Sequence, residues 1–287
     1  LQRAGHGQIV ETPDGAVYHT HLCSRPLPGT RRSPLGRETA IQKCVWKEDG
    51  WLYPASGSVV PEVRVPAPVD EEPRPPEPVE HLFEDAALPE DFQWLRTPYP
   101  ERIFTFTGSA LRLIGRESIG SWFEQALVAR RQEHHRYRAE TELLFQPVTF
   151  QQAAGLTTYY NRHKFHFLAV TWHERMERAL TLLSCPGDWP DGRLSFPLNE
   201  PVALPGDGMV ELAVEVEGSA QQFFFRFGGG DWQPIGPQLD ASVISDEGGR
   251  GEHGSFTGAF VGMACFDTSG AARSADFTRF CYHPDGT

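Results

Sequence analysis

Val210-Glu211-Leu212-Ala213-Val214-Glu215-Val216-Glu217 alternates apolar and acidic side chains. Val210, Leu212, Val214 and Val216 share one face, and Glu211, Glu215 and Glu217 share the other. Side chains alternate across a strand with a period of two, so this stretch reads as a half-buried β-strand. Phe223, Phe225 and Phe227 repeat the pattern, and Gly228-Gly229-Gly230-Asp231 then turns the chain. That glycine run has neither the lysine of a phosphate loop nor a following helix, so it reads as a hairpin turn. Working outward, 139–145 alternates too, with Glu140 and Glu142 outward. Residues 110–114, 125–130, 155–160, 166–172, 180–185, 259–265 and 277–282 also read as strands, and no long segment has a 3.6-residue period. Many short strands separated by turns define an all-β chain, built as a sandwich or barrel.

Toward the N-terminus, Gln8-Ile9-Val10-Glu11, Thr12-Pro13-Asp14-Gly15 and Ala16-Val17-Tyr18-His19-Thr20-His21-Leu22 predict a hairpin with a Pro-Asp-Gly turn. A strand this near Leu1, with no signal-peptide pattern before it, reads as the C-terminal part of a longer protein. Residues 1–60 are short strands and turns. Residues 61–80 hold Pro66, Pro68, Pro73, Pro75, Pro76 and Pro78 with acidic residues between them. Proline at that density blocks helix and ladder alike, which makes the segment an extended connector and a domain boundary.

The 287 residues carry 26 Lys+Arg against 38 Asp+Glu, a formal net charge of −12. A chain that repels phosphates overall is no nucleic-acid binder, and it lacks the basic patch of a membrane-surface binder. No window approaches the ~18 apolar residues of a spanning helix. Cys23, Cys44, Cys185, Cys265 and Cys281 are odd in number and widely spaced, without a CxxC. That pattern predicts free, buried thiols and points to the reducing cytoplasm.

Several groupings could carry chemistry. His19 and His21 share a strand face with Cys23, a spacing open to metal ligation and equally to a solvated or hydrogen-bonded pair. His134 and His135 are adjacent, which on a strand would turn them to opposite faces at the surface. No Gly-x-Ser-x-Gly elbow occurs. Asp240, Asp246 and Glu247 lie in a loop-like stretch and read as turn-formers or a calcium-type oxygen cluster, with nothing marking an acid/base pair. Arg37 and Glu38 sit in a turn-like segment. Phe256 sits in the glycine-rich run 254–262 before a strand, either as a core residue or as an exposed lid or sugar platform.

Taken in order, a set of runs resembles the C-terminal half of family 43 glycoside hydrolases, the β-xylosidases and xylosidase/arabinosidases with an extra β-sandwich. The runs are Gly5-His6-Gly7-Gln8-Ile9-Val10-Glu11-Thr12, Arg25-Pro26-Leu27-Pro28, Leu35-Gly36-Arg37-Glu38-Thr39-Ala40-Ile41-Gln42-Lys43 and Asp91-Phe92-Gln93-Trp94-Leu95-Arg96. They continue with Leu111-Arg112-Leu113-Ile114-Gly115-Arg116-Glu117-Ser118, Phe150-Gln151-Gln152-Ala153-Ala154-Gly155-Leu156, Tyr159-Tyr160-Asn161 and the stretch from Phe256 to Gly262. The resemblance implies the last part of a five-bladed β-propeller in 1–60, a Pro-rich linker in 61–80 and a concanavalin-like (jelly-roll) β-sandwich in 81–287. It implies an inverting exo-glycosidase that releases xylose or arabinose from xylo-oligosaccharide or arabinoside ends. The family's Asp base, Glu acid and second, tuning Asp lie in earlier blades, so no catalytic residue transfers here and the chain alone is expected to be inactive.

Three residues transfer as substrate-binding. His6 matches a histidine near the propeller axis that in some relatives helps hold a divalent ion, expected to be Ca2+. Arg37 matches an arginine that binds sugar hydroxyls and could depress a nearby carboxylate's pKa. Phe256 matches a phenylalanine that reaches from the sandwich over the active-site mouth and excludes water. The alternatives are a structural histidine for His6 and a salt bridge to Glu38 or a linker acid for Arg37. The resemblance requires no other cofactor, and it implies a homo-oligomer that includes the missing N-terminal propeller segment. The competing reading is a non-catalytic carbohydrate-binding or interaction sandwich. A third possibility, a split enzyme, predicts exposed apolar edges on 1–60.

Overall fold

The computed structural model describes residues 1–70, 72, 74–187, 193–248 and 256–284. Pro73 of the connector and Gly254-Ser255 of the glycine-rich run lie outside the described residues. Among the described residues the regular structure is all β, apart from two 3-10 turns at Pro100–Arg102 and Ala241–Val243.

Strands β1 (Gln2–Glu11), β2 (Val17–Ser24), β3 (Glu38–Trp46) and β4 (Leu52–Pro54) form a four-stranded antiparallel meander. The strand expected from Gln8 begins at Gln2. Its first half has no apolar alternation to announce it, because β1 is a largely exposed edge strand. A bulge shifts the register between Gly5 and Gly7, and His6 is the extra residue, with φ of 41°. Ile9, Val10, Trp46 and Trp51 leave apolar surface open on this sheet.

After the connector come β5 (Val79–His81), β6 (Phe92–Trp94), β7 (Phe104–Phe106), β8 (Leu111–Ile114), β9 (Ala126–Arg131), β10 (Arg136–Leu144), β11 (Gln152–Asn161) and β12 (Lys164–His173). They are followed by β13 (Glu177–Pro186), β14 (Val202–Ala203), β15 (Val210–Glu217), β16 (Ala220–Arg226), β17 (Gln233–Asp240), β18 (Phe260–Asp267) and β19 (Ser274–Pro284). One sheet runs β17-β16-β15-β10-β19-β8-β7, with β5 pairing β19. The other runs β14-β13-β12-β11-β18-β9-β6.

The period-two reading of β15 explains its place. Val210, Leu212, Val214 and Val216 are buried in a core shared with Leu111, Leu113, Phe223, Phe277 and Phe280. Its outward glutamates meet arginines on the neighbouring strands: Glu211 with Arg226, Glu215 with Arg138 and Glu217 with Arg136. Such cross-strand pairs add a few tenths of a kcal/mol to about 1 kcal/mol each, while the apolar face drives assembly. The seven-stranded sheet is covered on its other face too, where Leu127, Tyr159, Phe165 and Phe167 form a second cluster. This is why β11 is buried along nearly its whole length. All five cysteines are buried, and none is in a disulfide. No helix among the described residues is long and apolar enough to cross a membrane.

His166 on β12 is buried, with Nδ1 2.9 Å from Ser184 Oγ and Nε2 3.3 Å from the Asp240 carbonyl. Burial pushes its pKa down to about 4, against the opposing influence of Asp240. The unfolded chain therefore takes up this proton first, near pH 6.5. The stabilisation is present above that pH and is lost as the pH falls toward 4, on the order of 3 kcal/mol in total. Urea unfolding of His166→Gln should lose less stability between pH 7 and pH 4.5 than the parent. Parallel pH profiles would remove His166 from the acid sensitivity.

Candidate functional site

The connection between β2 and β3 packs against the segment that enters β18. Ser33, Pro34, Leu35 and Gly36 are buried, and Gly36 N–H donates to the Ser33 carbonyl at 2.9 Å in a tight turn. Gly36 has φ of 68°, and Gly258 opposite has φ of 80°. A Cβ on Gly36 would stand 2.5 Å from Gly258 N, and one on Gly258 would stand 2.7 Å from Gly36 N. Two backbones meet here with no room for a side chain between them. Ala259 N–H donates to the Pro34 carbonyl at 2.7 Å, and Arg131 Nη2 donates to the Leu35 carbonyl at 3.2 Å.

That contact sets Arg37 beside Phe256. The guanidinium carbon lies 4.2 Å from the ring centroid, and the ring is 54% exposed. The expected alternative pair between Arg37 and Glu38 is not formed. Glu38 accepts from Arg25 instead, at 2.7 Å from Nη2 and 2.9 Å from Nε. Arg37 makes no ion pair among the described residues, and its Nε is buried without a hydrogen-bond partner. A planar cation with unsatisfied donors, next to an exposed ring, suits a neutral, hydroxyl-rich ligand with an apolar face. A groove of about 320 Å³ opens beside it, walled by Trp94, Arg96, Trp122, Asn161, Phe256 and Phe260.

Behind the pair lies a polar junction. Tyr160 OH donates to Asp246 Oδ1 at 2.6 Å, Gly258 N–H donates to the same oxygen at 3.1 Å, and Thr257 N–H donates to Tyr160 OH at 3.3 Å. Asp246 Oδ2 faces Arg3 Nη1 at 3.3 Å, and Glu247 Oε1 faces Arg3 Nε at 3.2 Å. Glu247 also accepts from Gln2 Nε2 at 2.9 Å and from Ser33 N–H at 2.6 Å. Asp240 caps the 3-10 turn through Ser242 N–H and accepts from Arg32 Nη1 at 2.9 Å. The three acids read as turn-formers or an oxygen cluster thus tie the first sheet to the sandwich. Nothing in the sequence marked Tyr160, Arg3 or Lys164 for this junction. The one local hint is a lysine opening a strand that otherwise reads apolar.

His6 is exposed at its bulge and makes no hydrogen bond or ring contact with another described residue. It is not gathered to Arg37 and Phe256 by any direct contact. Calcium takes six to eight oxygen ligands, and no three His, Cys, Asp or Glu side chains converge among the described residues. The described residues of this chain do not by themselves build such a site.

The other histidines resolve differently. His19 and His21 stack at 5.7 Å, and His21 is buried with Nδ1 2.9 Å from the Leu22 carbonyl. His134 and His135, expected on a strand at the surface, lie in the turn between β9 and β10. His134 Nδ1 is 3.3 Å from Tyr282 OH. His135 is half-buried, and burial followed by the Arg25 charge lowers its pKa. Two polar residues in sequence carry no periodicity from which to tell a strand from a turn.

Residues 80–283 match the family model described as the β-xylosidase C-terminal concanavalin A-like domain. Residues 1–52 match the model of glycosyl hydrolases family 43. The chain is 50% identical over 292 residues to xylosidase/arabinosidase 43B of Humicola insolens, covering 99% of this chain and 53% of that protein. It is 40% identical over 294 residues to a β-xylosidase of Bacillus subtilis (strain 168), covering 98% and 54%. Among solved structures, xylan β-1,4-xylosidase from Bacillus halodurans C-125 superposes with a TM-score of 0.90 at 38% identity, over 99% of this chain and 54% of that one. The chain thus spans about half the length of the relatives it matches.

Proposed function

Because the chain belongs to glycosyl hydrolase family 43, in the group that carries the β-xylosidase C-terminal concanavalin A-like domain, we propose that it forms two walls of the sugar pocket of an inverting exo-glycosidase. The substrate is a xylo-oligosaccharide end or an arabinoside. The carrying observation is the contact of Arg37 with Phe256, which joins the family 43 segment to the sandwich at an exposed, hydroxyl-compatible surface. The general acid and base belong to propeller blades outside this sequence, and β1–β4 form the last part of that propeller. The four-stranded meander is what one blade requires, and the open apolar surface at Ile9, Val10, Trp46 and Trp51 supports packing against further blades.

In this reading Arg37 donates to sugar hydroxyls. Phe256 covers the sugar's C–H face and keeps bulk water from the mouth. His6, exposed on the open edge of β1, projects toward the propeller axis as a further wall. Inversion requires a base-activated water opposite the protonated leaving oxygen. The five buried thiols support a cytoplasmic location.

The test uses the protein with its complete propeller acting on 4-nitrophenyl β-D-xylopyranoside and, separately, on 4-nitrophenyl α-L-arabinofuranoside, with proton NMR of the first sugar released. Inversion of a β-linkage gives α-xylose first. β-Xylose first would exclude inversion, and no release of xylose or arabinose would favour a binding module. Phe256→Ala should raise KM for xylobiose about 3–10-fold, as expected for ~0.7–1.4 kcal/mol of ring contact, with the fold intact. Unchanged kinetics would defeat the lid role.

A further inference from the structure

Arg37 and Phe256 lie in connections that lead into different sheets, so something must hold their separation constant. The polar junction behind them has the geometry to do so. Asp246 is buried to the last atom of its side chain and has two oxygens used in opposite directions. One accepts from Tyr160 OH and Gly258 N–H, on the sandwich side. The other meets Arg3 on β1. Gly258 is two residues from Phe256 and touches Gly36, which precedes Arg37. One carboxylate therefore reaches the backbone that carries the ring and, through Arg3, the strand whose Gln2 bonds to Arg31 and Ser33 in the connection that carries the cation.

The loop that presents Asp246 is itself clamped. Lys164 is fully buried, with Nζ donating to the carbonyls of Ser245 at 2.8 Å and Gly248 at 3.0 Å, and lying 4.2 Å over the Tyr160 ring. An ammonium held by carbonyls on both sides of Asp246-Glu247 fixes where the two acids point. Removing one partner of such a buried charged network leaves the other unsatisfied, so the arrangement is close to all-or-none.

We propose that Asp246 and Tyr160 are positioning residues for the sugar pocket, setting Phe256 over Arg37 through Gly258 and Thr257 and holding both to β1 through Arg3. The proposal rests on the pocket reading above. Asp246 lies outside the groove lining, and Tyr160, buried at the back of the groove, acts with it through Phe256.

The mild variant is Tyr160→Phe, which keeps the ring under Lys164 and removes the hydroxyl that donates to Asp246 and accepts from Thr257. In the protein with its complete propeller, Tyr160→Phe should raise KM for xylobiose about as far as Phe256→Ala, with kcat changed less. Combined with Phe256→Ala, it should add nothing further. Multiplying effects in the double variant would overturn the proposal, as would an unchanged KM in Tyr160→Phe while Phe256→Ala responds. A second readout is independent of activity. Phe256 is replaced by 4-trifluoromethyl-phenylalanine and its fluorine resonance is recorded with and without Tyr160→Phe and Asp246→Asn. A shifted or split resonance supports positioning, and an unchanged one overturns it. If Phe256→Ala proves kinetically silent while the resonance still moves, the pocket reading fails and the positioning of the ring stands.

Discussion

Gly258→Ala is expected to loosen the joint between the first sheet and the sandwich. The left-handed backbone at φ of 80° costs an L-residue roughly 1–2 kcal/mol. The new methyl would also meet Gly36 N and the Leu35 carbonyl group at 2.7 Å. Those are backbone atoms that no rotamer change can move aside, and overpacking of this kind costs about 1–3 kcal/mol more. The combined penalty, ~2–5 kcal/mol, falls on the docking of 33–36 against 257–259. Calorimetry should show a lower unfolding temperature, and trypsin should cut the connector faster. Gly50→Ala is the control, since its φ of 78° carries the same strain with nothing within 4 Å of the added carbon. If the two variants melt together, close backbone contact is not what holds this joint.

Arg37→Ala should be the most damaging single change in the proposed pocket. A charged hydrogen bond to a substrate hydroxyl contributes about 1.5–3 kcal/mol, so kcat/KM should fall roughly 10–150-fold. The stack of Arg37 on Phe256 is worth about 0.5–1 kcal/mol at an exposed site, so the melting temperature should change little. Arg37→Lys should recover only part of the activity, because a point charge does not reproduce the planar fork. An activity loss that scales with loss of stability across the series would make Arg37 structural.

The all-β architecture was legible because strand periodicity is a local property. Val210, Leu212, Val214 and Val216 announce the core face of β15 without reference to any other segment. The first half of β1 was not legible, because an exposed edge strand with a bulge at His6 has no buried face to impose alternation. The histidine pair 134–135 was misplaced for a related reason.

Arg37 and Phe256 could be named from ordered runs that match the family, together with the glycines Gly36 and Gly258 that flank them. Their contact could not be read that way, because it depends on two distant segments meeting backbone to backbone. The junction was least visible. Asp246 and Glu247 have the composition of any polar turn, and their role comes from burial beside Tyr160 and from Arg3 arriving off another sheet. The sequence alone determined which residues alternate, where the chain must turn and which family it resembles, since each follows from neighbours along the chain. Tertiary structure decided which acids are buried, which cation meets which ring and what holds them together. Those are set by through-space distance and desolvation, and neither is written in the order of residues.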